Sequence, residues 1–145
     1  MIGVIISGHG AFASGIGQAV NQIIGEQPQL VCIDFPSEMT TEQLEAAMRK
    51  AMDQVDSQEG VVFLTDLLGG TPFRTASLLS QEVEHIEVVT GTNLQMAAEM
   101  LLERDELGLV GFREQSLICG HRGITCLHDE MQRQREAEVE ADDGI

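Results

Sequence analysis

The chain has 145 residues, 43% of them hydrophobic, and a formal net charge of -16. That length suits one domain with a substantial core. The charge argues against nucleic acid and anionic membrane surfaces, which need basic patches, and no apolar run reaches the roughly 18 residues of a membrane span.

Met1-Ile2-Gly3-Val4-Ile5-Ile6 reads as a first buried strand. Ser7-Gly8-His9-Gly10 follows it, placing a histidine between two glycines in the turn beyond. With so little bulk beside it, that imidazole is expected to be reachable by something large. A helix over about Ala13 to Ile24 follows, with Phe12, Ile16, Val20, Ile23 and Ile24 at helical spacing and Gly25 as its stop. Leu30 to Phe35 is the second strand, closed by Pro36. Thr40 or Thr41 caps a helix running to Val55, with Leu44, Ala47, Met48, Ala51 and Val55 on one face.

Gly60 opens a third strand, Val61 to Thr65. Asp66 stands at its carboxyl end, and Leu67-Leu68-Gly69-Gly70-Thr71-Pro72 turns into a helix over Phe73 to Ser80. Thr71 is the expected cap, with the proline in the first turn, where it is tolerated. Ile86 to Val89 is the fourth strand, ended by Thr90-Gly91-Thr92-Asn93, and Leu94 to Glu103 is helical. After Glu103 the pattern weakens. Ile124 to Leu127 reads as a last short strand, and Asp129 to Val139 as a helix in an acidic tail spanning about 129–145.

Four strand-helix units in series predict a single α/β domain over 1–145: an open, mainly parallel, doubly wound sheet with helices on both faces. Ligands of such sheets bind beyond the carboxyl ends of the strands, where the strand order reverses. His9, Asp66 and the Thr90-Gly91-Thr92-Asn93 loop should share that edge.

Three free cysteines, Cys32, Cys119 and Cys126, with no CxxC suit a reducing cytoplasm. The first residues lack the basic start and small-residue cleavage site of a signal peptide, so export is not expected. With no Trp or Tyr, stacking on bases or sugar rings has little to work with.

Several chemistries compete for the glycine turn. Gly8-His9-Gly10-Ala11-Phe12-Ala13 matches the dinucleotide pattern, and Asp34 ends the second strand where a ribose-binding acid belongs, which makes a nucleotide-binding module the alternative. An aspartyl-phosphate receiver built on Asp66 lacks the acidic pair after strand 1, and Lys50 is the chain's one lysine. His9, His121 and His128 match no dense ligand spacing, so no metal is expected.

Histidine phosphotransfer uses everything at the edge. Neutral imidazole is nucleophilic near neutral pH. One ring nitrogen attacks while a carboxylate holds the proton on the other and steadies the charged ring, as in catalytic triads. Asp66 is the candidate partner, so Nε2 becomes the phosphorylated atom if Asp66 takes Nδ1-H. Gly69, Gly70 and Thr71 can supply backbone donors and a hydroxyl at a helix start, where the dipole favours anions. Ser7 and Thr92 are weaker candidates. The apolar residues Phe12, Leu67, Leu68 and Phe73 are candidates for a docking surface.

Three segments carry a resemblance: Ile6-Ser7-Gly8-His9-Gly10, Asp66-Leu67-Leu68-Gly69-Gly70-Thr71-Pro72-Phe73, and Thr90-Gly91-Thr92-Asn93-Leu94. From Met1 to about Leu127 the chain resembles the IIA domain of the mannose family of the bacterial phosphoenolpyruvate-dependent sugar phosphotransferase system. The resemblance implies a cytoplasmic phosphocarrier with no cofactor. It takes a phosphoryl group from HPr on His9 and gives it to a IIB component, upstream of membrane IIC and IID components. Asp66 would be the partner carboxylate and Thr71 the phosphate-contacting hydroxyl. Because the chain ends at Ile145, IIB is expected on a separate chain. Arg74 and Cys119-Gly120-His121-Arg122-Gly123 look like the N-acetylgalactosamine and galactosamine branch. Homodimers that exchange the last strand are implied, with Ile124 to Leu127 as that strand. The IIA-like subunit of dihydroxyacetone kinase systems shares the fold and is a further alternative.

Overall fold

The computed structural model describes residues 1–55 and 58–143. Its elements run β1 (Gly3–His9), α1 (Phe12–Ile24), β2 (Leu30–Phe35), α2 (Thr41–Val55), β3 (Val61–Thr65), α3 (Thr71–Glu82), β4 (Ile86–Val89), α4 (Leu94–Arg122) and α5 (Leu127–Asp143). The four strands form one parallel sheet in the order β2-β1-β3-β4. The chain winds outward from β1 to β2, then crosses back to β3 on the other side of β1. The order therefore reverses between β1 and β3, and a crevice opens beyond their carboxyl ends.

Central β1 is buried from Gly3 through Gly8 because both faces are covered. Val4 and Ile6 look toward α1 and α4, with Val62 and Leu64 of β3 beside them. Ile5 and Phe63 look the other way, onto Leu44 and Met48 of α2 and Ala76 and Leu79 of α3. The alternation of the strands thus splits the core into two layers, as a doubly wound sheet requires.

The helix starts show how sequence becomes local structure. Thr40 Oγ1 accepts from Gln43 N at 3.1 Å while Gln43 Oε1 accepts from Thr40 N at 2.9 Å, a reciprocal capping box that starts α2. At α3 the expected cap is displaced by one residue. Gly70 is the N-cap, in extended conformation and without a side-chain cap, and Thr71 is already helical. β1 also runs three residues further than the apolar run predicts. Gly8 and His9 pair in register with Asp34 and Phe35 of β2, so His9 closes the strand rather than sitting in the turn after it.

The carboxyl-terminal third differs most from expectation. The helix beginning at Leu94 continues to Arg122 and breaks at Gly108 (φ 67°, ψ 173°), so its two arms fold back on each other. Asn93 joins their ends. Its Oδ1 accepts from Met96 N at 2.9 Å, and its Nδ2 donates to Gly120 O at 2.9 Å. The second arm buries Phe112, Ser116, Cys119 and Gly120.

The last strand expected over Ile124 to Leu127 is not formed in this chain. Ile124 N bonds His121 O at 3.1 Å, and Cys126 O accepts from Glu130 N at 3.1 Å. The backbone groups of the segment thus close helix ends instead of a ladder. α5 is helical as the tail reading predicts and has no buried residue; the last two residues of the tail, 144–145, lie outside the described residues. No helix of the described residues is long and apolar enough to cross a membrane.

Candidate functional site

His9 and Asp66 lie 57 positions apart in sequence and meet at the switch point. The register pairs Ser7 with Thr65, which sets the last residues of β1 beside Asp66, the residue just beyond β3. Asp66 Oδ2 takes two hydrogen bonds from His9: its backbone N at 2.8 Å and its ring Nδ1 at 2.8 Å. The other oxygen, Oδ1, accepts from Leu67 N at 2.8 Å. A carboxylate gripped by backbone donors cannot rotate, so its grip on the imidazole is directional. Burial pushes the Asp66 carboxyl up, but the His9 backbone and ring donors and the Leu67 amide together hold it below the ordinary carboxylate value. Asp66 is therefore an anion at neutral pH, and Nδ1 carries the proton.

The imidazole is tethered at one edge and open at the other. Its side chain is 45% exposed against 14% for Asp66. Phe35 sets its tilt, with ring centroids 5.8 Å apart and planes at 71°. Phe35 is a site residue the sequence reading missed. The signal was its place at the carboxyl end of β2, opposite His9, which only the register makes visible.

The start of α3 faces the open edge of the ring. A Cβ on Gly70 would stand 2.8 Å from His9 Cε1 and 3.6 Å from Nε2. Only glycine brings the helix terminus this close. Gly69 (φ 77°) turns the chain into it in the left-handed conformation that favours glycine. The Gly70 amide donates to Leu67 O at 3.0 Å, so it is consumed by the turn and corrects its expected role as a free donor. The Thr71 and Phe73 amides have no acceptor among the described residues, and neither does the Thr71 hydroxyl. They leave unpaired donors and the positive end of the helix dipole beside Nε2.

Other expected residues separate from the site. Ser7 and Thr92 are buried at 0% and 6% exposure, unlike the exposed ring. The two glycines around His9 do different work from that expected. A Cβ on Gly8 would lie 2.4 Å from Phe12 Cδ1 and 3.0 Å from Asp66 Cγ, so Gly8 makes room for the carboxylate rather than for a visitor. Gly10 has open space around it. Asp34 Oδ1 accepts from Ser14 N at 2.8 Å, closing the first turn of α1 instead of waiting for a ribose. A shallow depression of about 620 Å³ does border His9 and the β2–α2 loop. Among the described residues, no three His, Cys, Asp or Glu side chains are placed to hold a metal ion. Of the apolar candidates, Leu67 and Leu68 stand out in solvent at 60% and 74% exposure, while Phe12 is packed against the core.

The chain is similar to proteins described as IIA components of the phosphotransferase system. Residues 3–116 match the family model EIIA-man, described as PTS system fructose IIA component. A chain of Escherichia coli K12 described as a phosphotransferase enzyme IIA component, YadI, is 32% identical over 92% of this chain and 91% of its own. The mannose-specific EIIAB component of the PTS of the same organism is 34% identical over 72% of this chain, which spans only 32% of that longer protein. Among solved structures, a phosphotransferase system component EIIA from Streptococcus agalactiae superposes with a TM-score of 0.81 at 33% identity, over 89% of this chain and 99% of that one.

Proposed function

The chain belongs to the EIIA-man family, the mannose-family IIA components of the phosphotransferase system, and from that premise we propose that it is a phosphocarrier that receives and donates a phosphoryl group at His9 Nε2. The observation that carries this reading is the tether at 2.8 Å between Asp66 Oδ2 and His9 Nδ1. It places the proton on Nδ1 and leaves the Nε2 lone pair free at the exposed edge of the ring.

The step balances without an outside acid or base. The Nε2 lone pair attacks phosphorus of the phosphohistidine on HPr, and the phosphorus–nitrogen bond to the donor breaks. The donor imidazole, protonated on its other nitrogen, leaves neutral with the electron pair. His9 becomes a phosphorylated, positively charged ring, and the Asp66 carboxylate steadies it. Transfer to a IIB component runs the same chemistry outward. Donor and product are the same kind of bond, so the site has to align and to stabilise charge rather than overcome a large energy difference. The Thr71 hydroxyl and the Thr71 and Phe73 amides are the donors for the phosphoryl oxygens, while Gly69 and Gly70 shape the turn that presents them. Exposed Leu67 and Leu68 form the apolar rim on which HPr and IIB dock.

The finer points extend the same reading. The carrier works in the cytoplasm and serves uptake of N-acetylgalactosamine or galactosamine through membrane IIC and IID components. Arg74 and the Cys119 to Gly123 segment support this branch, whereas similar proteins carry fructose, mannose and sorbose in their descriptions. Ile124 and Leu127, exposed at 74% and 78%, are the surface for a homodimer.

Intact-protein mass after incubation with phosphoenolpyruvate, enzyme I and HPr tests the carrier. One acid-labile phosphoryl group on the wild type and none on His9→Ala is the expected result. Labelling of both proteins would move the site to another residue. No label on either, with HPr itself phosphorylated, would remove the phosphocarrier function.

A further inference from the structure

Phosphorylation at Nε2 adds about two negative charges to a chain that already carries -16. A cation beside the group would offset part of that charge. Of the eight cationic residues, Arg49, Arg113, Arg122 and Arg133 are tied to carboxylates. Arg104 is buried on backbone carbonyls. Lys50 and Arg135 sit on α2 and α5. Arg74 is left, on the helix that begins against His9. It is exposed and has neither an ion pair nor a side-chain hydrogen bond among the described residues.

Its place on α3 gives it a direction. The core-facing residues of α3 are Pro72, Thr75, Ala76 and Leu79. Arg74 is on the opposite side, four residues after Gly70, and its amide donates to Gly70 O at 2.9 Å. Residues i and i+4 share a helix face, with Cβ positions about 5–6 Å apart, and side chains lean toward the amino terminus. The Gly70 face is the one that meets the ring, since a Cβ there would stand 3.6 Å from His9 Nε2. An arginine one turn behind on that face, next to a residue with no side chain, has three methylenes and a guanidinium with which to reach toward the ring.

Resting on the phosphocarrier reading above, we propose that Arg74 is a catalytic residue whose guanidinium binds the phosphoryl oxygens on His9 Nε2. The planar fork matches two phosphoryl oxygens at once, and charge-assisted bonds of this kind are about twice as strong as neutral ones. Arg74 swings in as the group arrives and swings out as it leaves, because nothing among the described residues holds it beforehand. It supplies the charge, while the Thr71 and Phe73 amides and the Thr71 hydroxyl supply fixed direction. Gly70 therefore has two uses: it lets the helix approach the ring and clears the path for Arg74.

Wild type, Arg74→Ala and Arg74→Lys, each phosphorylated with phosphoenolpyruvate, enzyme I and HPr, test this by rapid quench and by phosphorus NMR. Arg74→Ala should melt like wild type, accept the phosphoryl group about 10- to 100-fold more slowly, and shift the equilibrium toward phosphorylated HPr. The second protonation of its phosphoryl group should move to higher pH, and Arg74→Lys should recover part of each effect. Two results would overturn the assignment. One is an Arg74→Ala rate within about twofold of wild type with an unchanged phosphorus titration. The other is a higher HPr requirement alone, with the titration unchanged, which would make Arg74 a docking residue. Wild type that takes no label beside phosphorylated HPr would end both this assignment and the carrier reading; labelled wild type with an indifferent Arg74→Ala would end this one only.

Discussion

One oxygen of Asp66 accepts both the backbone N–H and the ring Nδ1–H of His9, each at 2.8 Å. The residue that carries the imidazole is thus held twice by the same atom. The main-chain bond fixes where the ring starts and the side-chain bond fixes how it is turned and which nitrogen keeps the proton. Gly8 permits this, because any Cβ there would crowd both Asp66 and Phe12.

Asp66→Asn should keep the fold and lose the chemistry. The amide is nearly isosteric, yet it carries no charge and has one acceptor oxygen for two positions: turned to His9 it sets an NH₂ against the Leu67 N–H, and turned to Leu67 it sets an NH₂ against both His9 donors. The transfer rate from phosphorylated HPr should fall by about 10²-fold or more, by analogy with loss of an orienting carboxylate in a triad. Rapid-quench kinetics at matched concentrations check it; an unchanged rate removes the orienting role.

The same carboxylate predicts a pH signature in stability. Its folded pKa is depressed by the His9 and Leu67 donors against an opposing push from burial. A depressed carboxylate stabilises the fold above its unfolded pKa of about 4, and that stability is lost as the pH falls through the lower folded value. The melting temperature of wild type should exceed that of Asp66→Asn at pH 6–7, about two units above that point. The gap should close on acidification below about pH 4. A gap that stays constant to low pH would contradict the assignment.

Two neighbouring glycines should fail in opposite ways. Gly70→Ala places a methyl group 2.8 Å from His9 Cε1 on a backbone (φ -72°) that accepts alanine without strain. It should slow transfer about tenfold or more with little loss of stability, since a misplacement of about 1 Å can cost 10²-fold. Gly69→Ala meets open space but forces alanine into φ 77°. It should cost about 1 kcal/mol of stability and affect transfer less. Thermal melts and transfer rates measured on both variants separate the two causes.

Arg104 offers a stability test far from the site. At 2% exposure its guanidinium reaches the carbonyls of Pro28 and Gln29, at the amino-terminal end of the sheet. Arg104→Met keeps much of the bulk and removes those donors. The expected loss is about 2–4 kcal/mol, the cost of leaving buried carbonyls unpaired. Urea denaturation measures it, and phosphoryl transfer below the melting range should be unaffected.

The strand-helix alternation was readable because each core layer needs its own apolar spacing. Val4 and Ile6 against Ile5 on β1, or Leu44, Met48, Ala51 and Val55 on α2, repeat at the period of their element. His9 and Asp66 were readable as a pair because parallel connectivity puts both strand ends on one edge. The second arm of α4 was missed although Phe112, Ser116 and Cys119 repeat at helical spacing; only four of its residues are buried, so the signal was thin. Ile124 to Leu127 reads as a strand by its apolar and β-branched residues, yet a strand needs an edge to pair with, and in this chain the segment joins two helices instead.

What the sequence determined by itself was the order of elements and the chemical types placed at their ends, because periodicity and turn residues are local. Only the tertiary structure decided which atoms meet. It turned Asp34 to the α1 amides and Asp66 to the imidazole, set Phe35 against the ring, and brought Gly70 to the Nε2 edge. Those contacts depend on strand register and helix approach, which are fixed by packing across the whole sheet and not by any one segment.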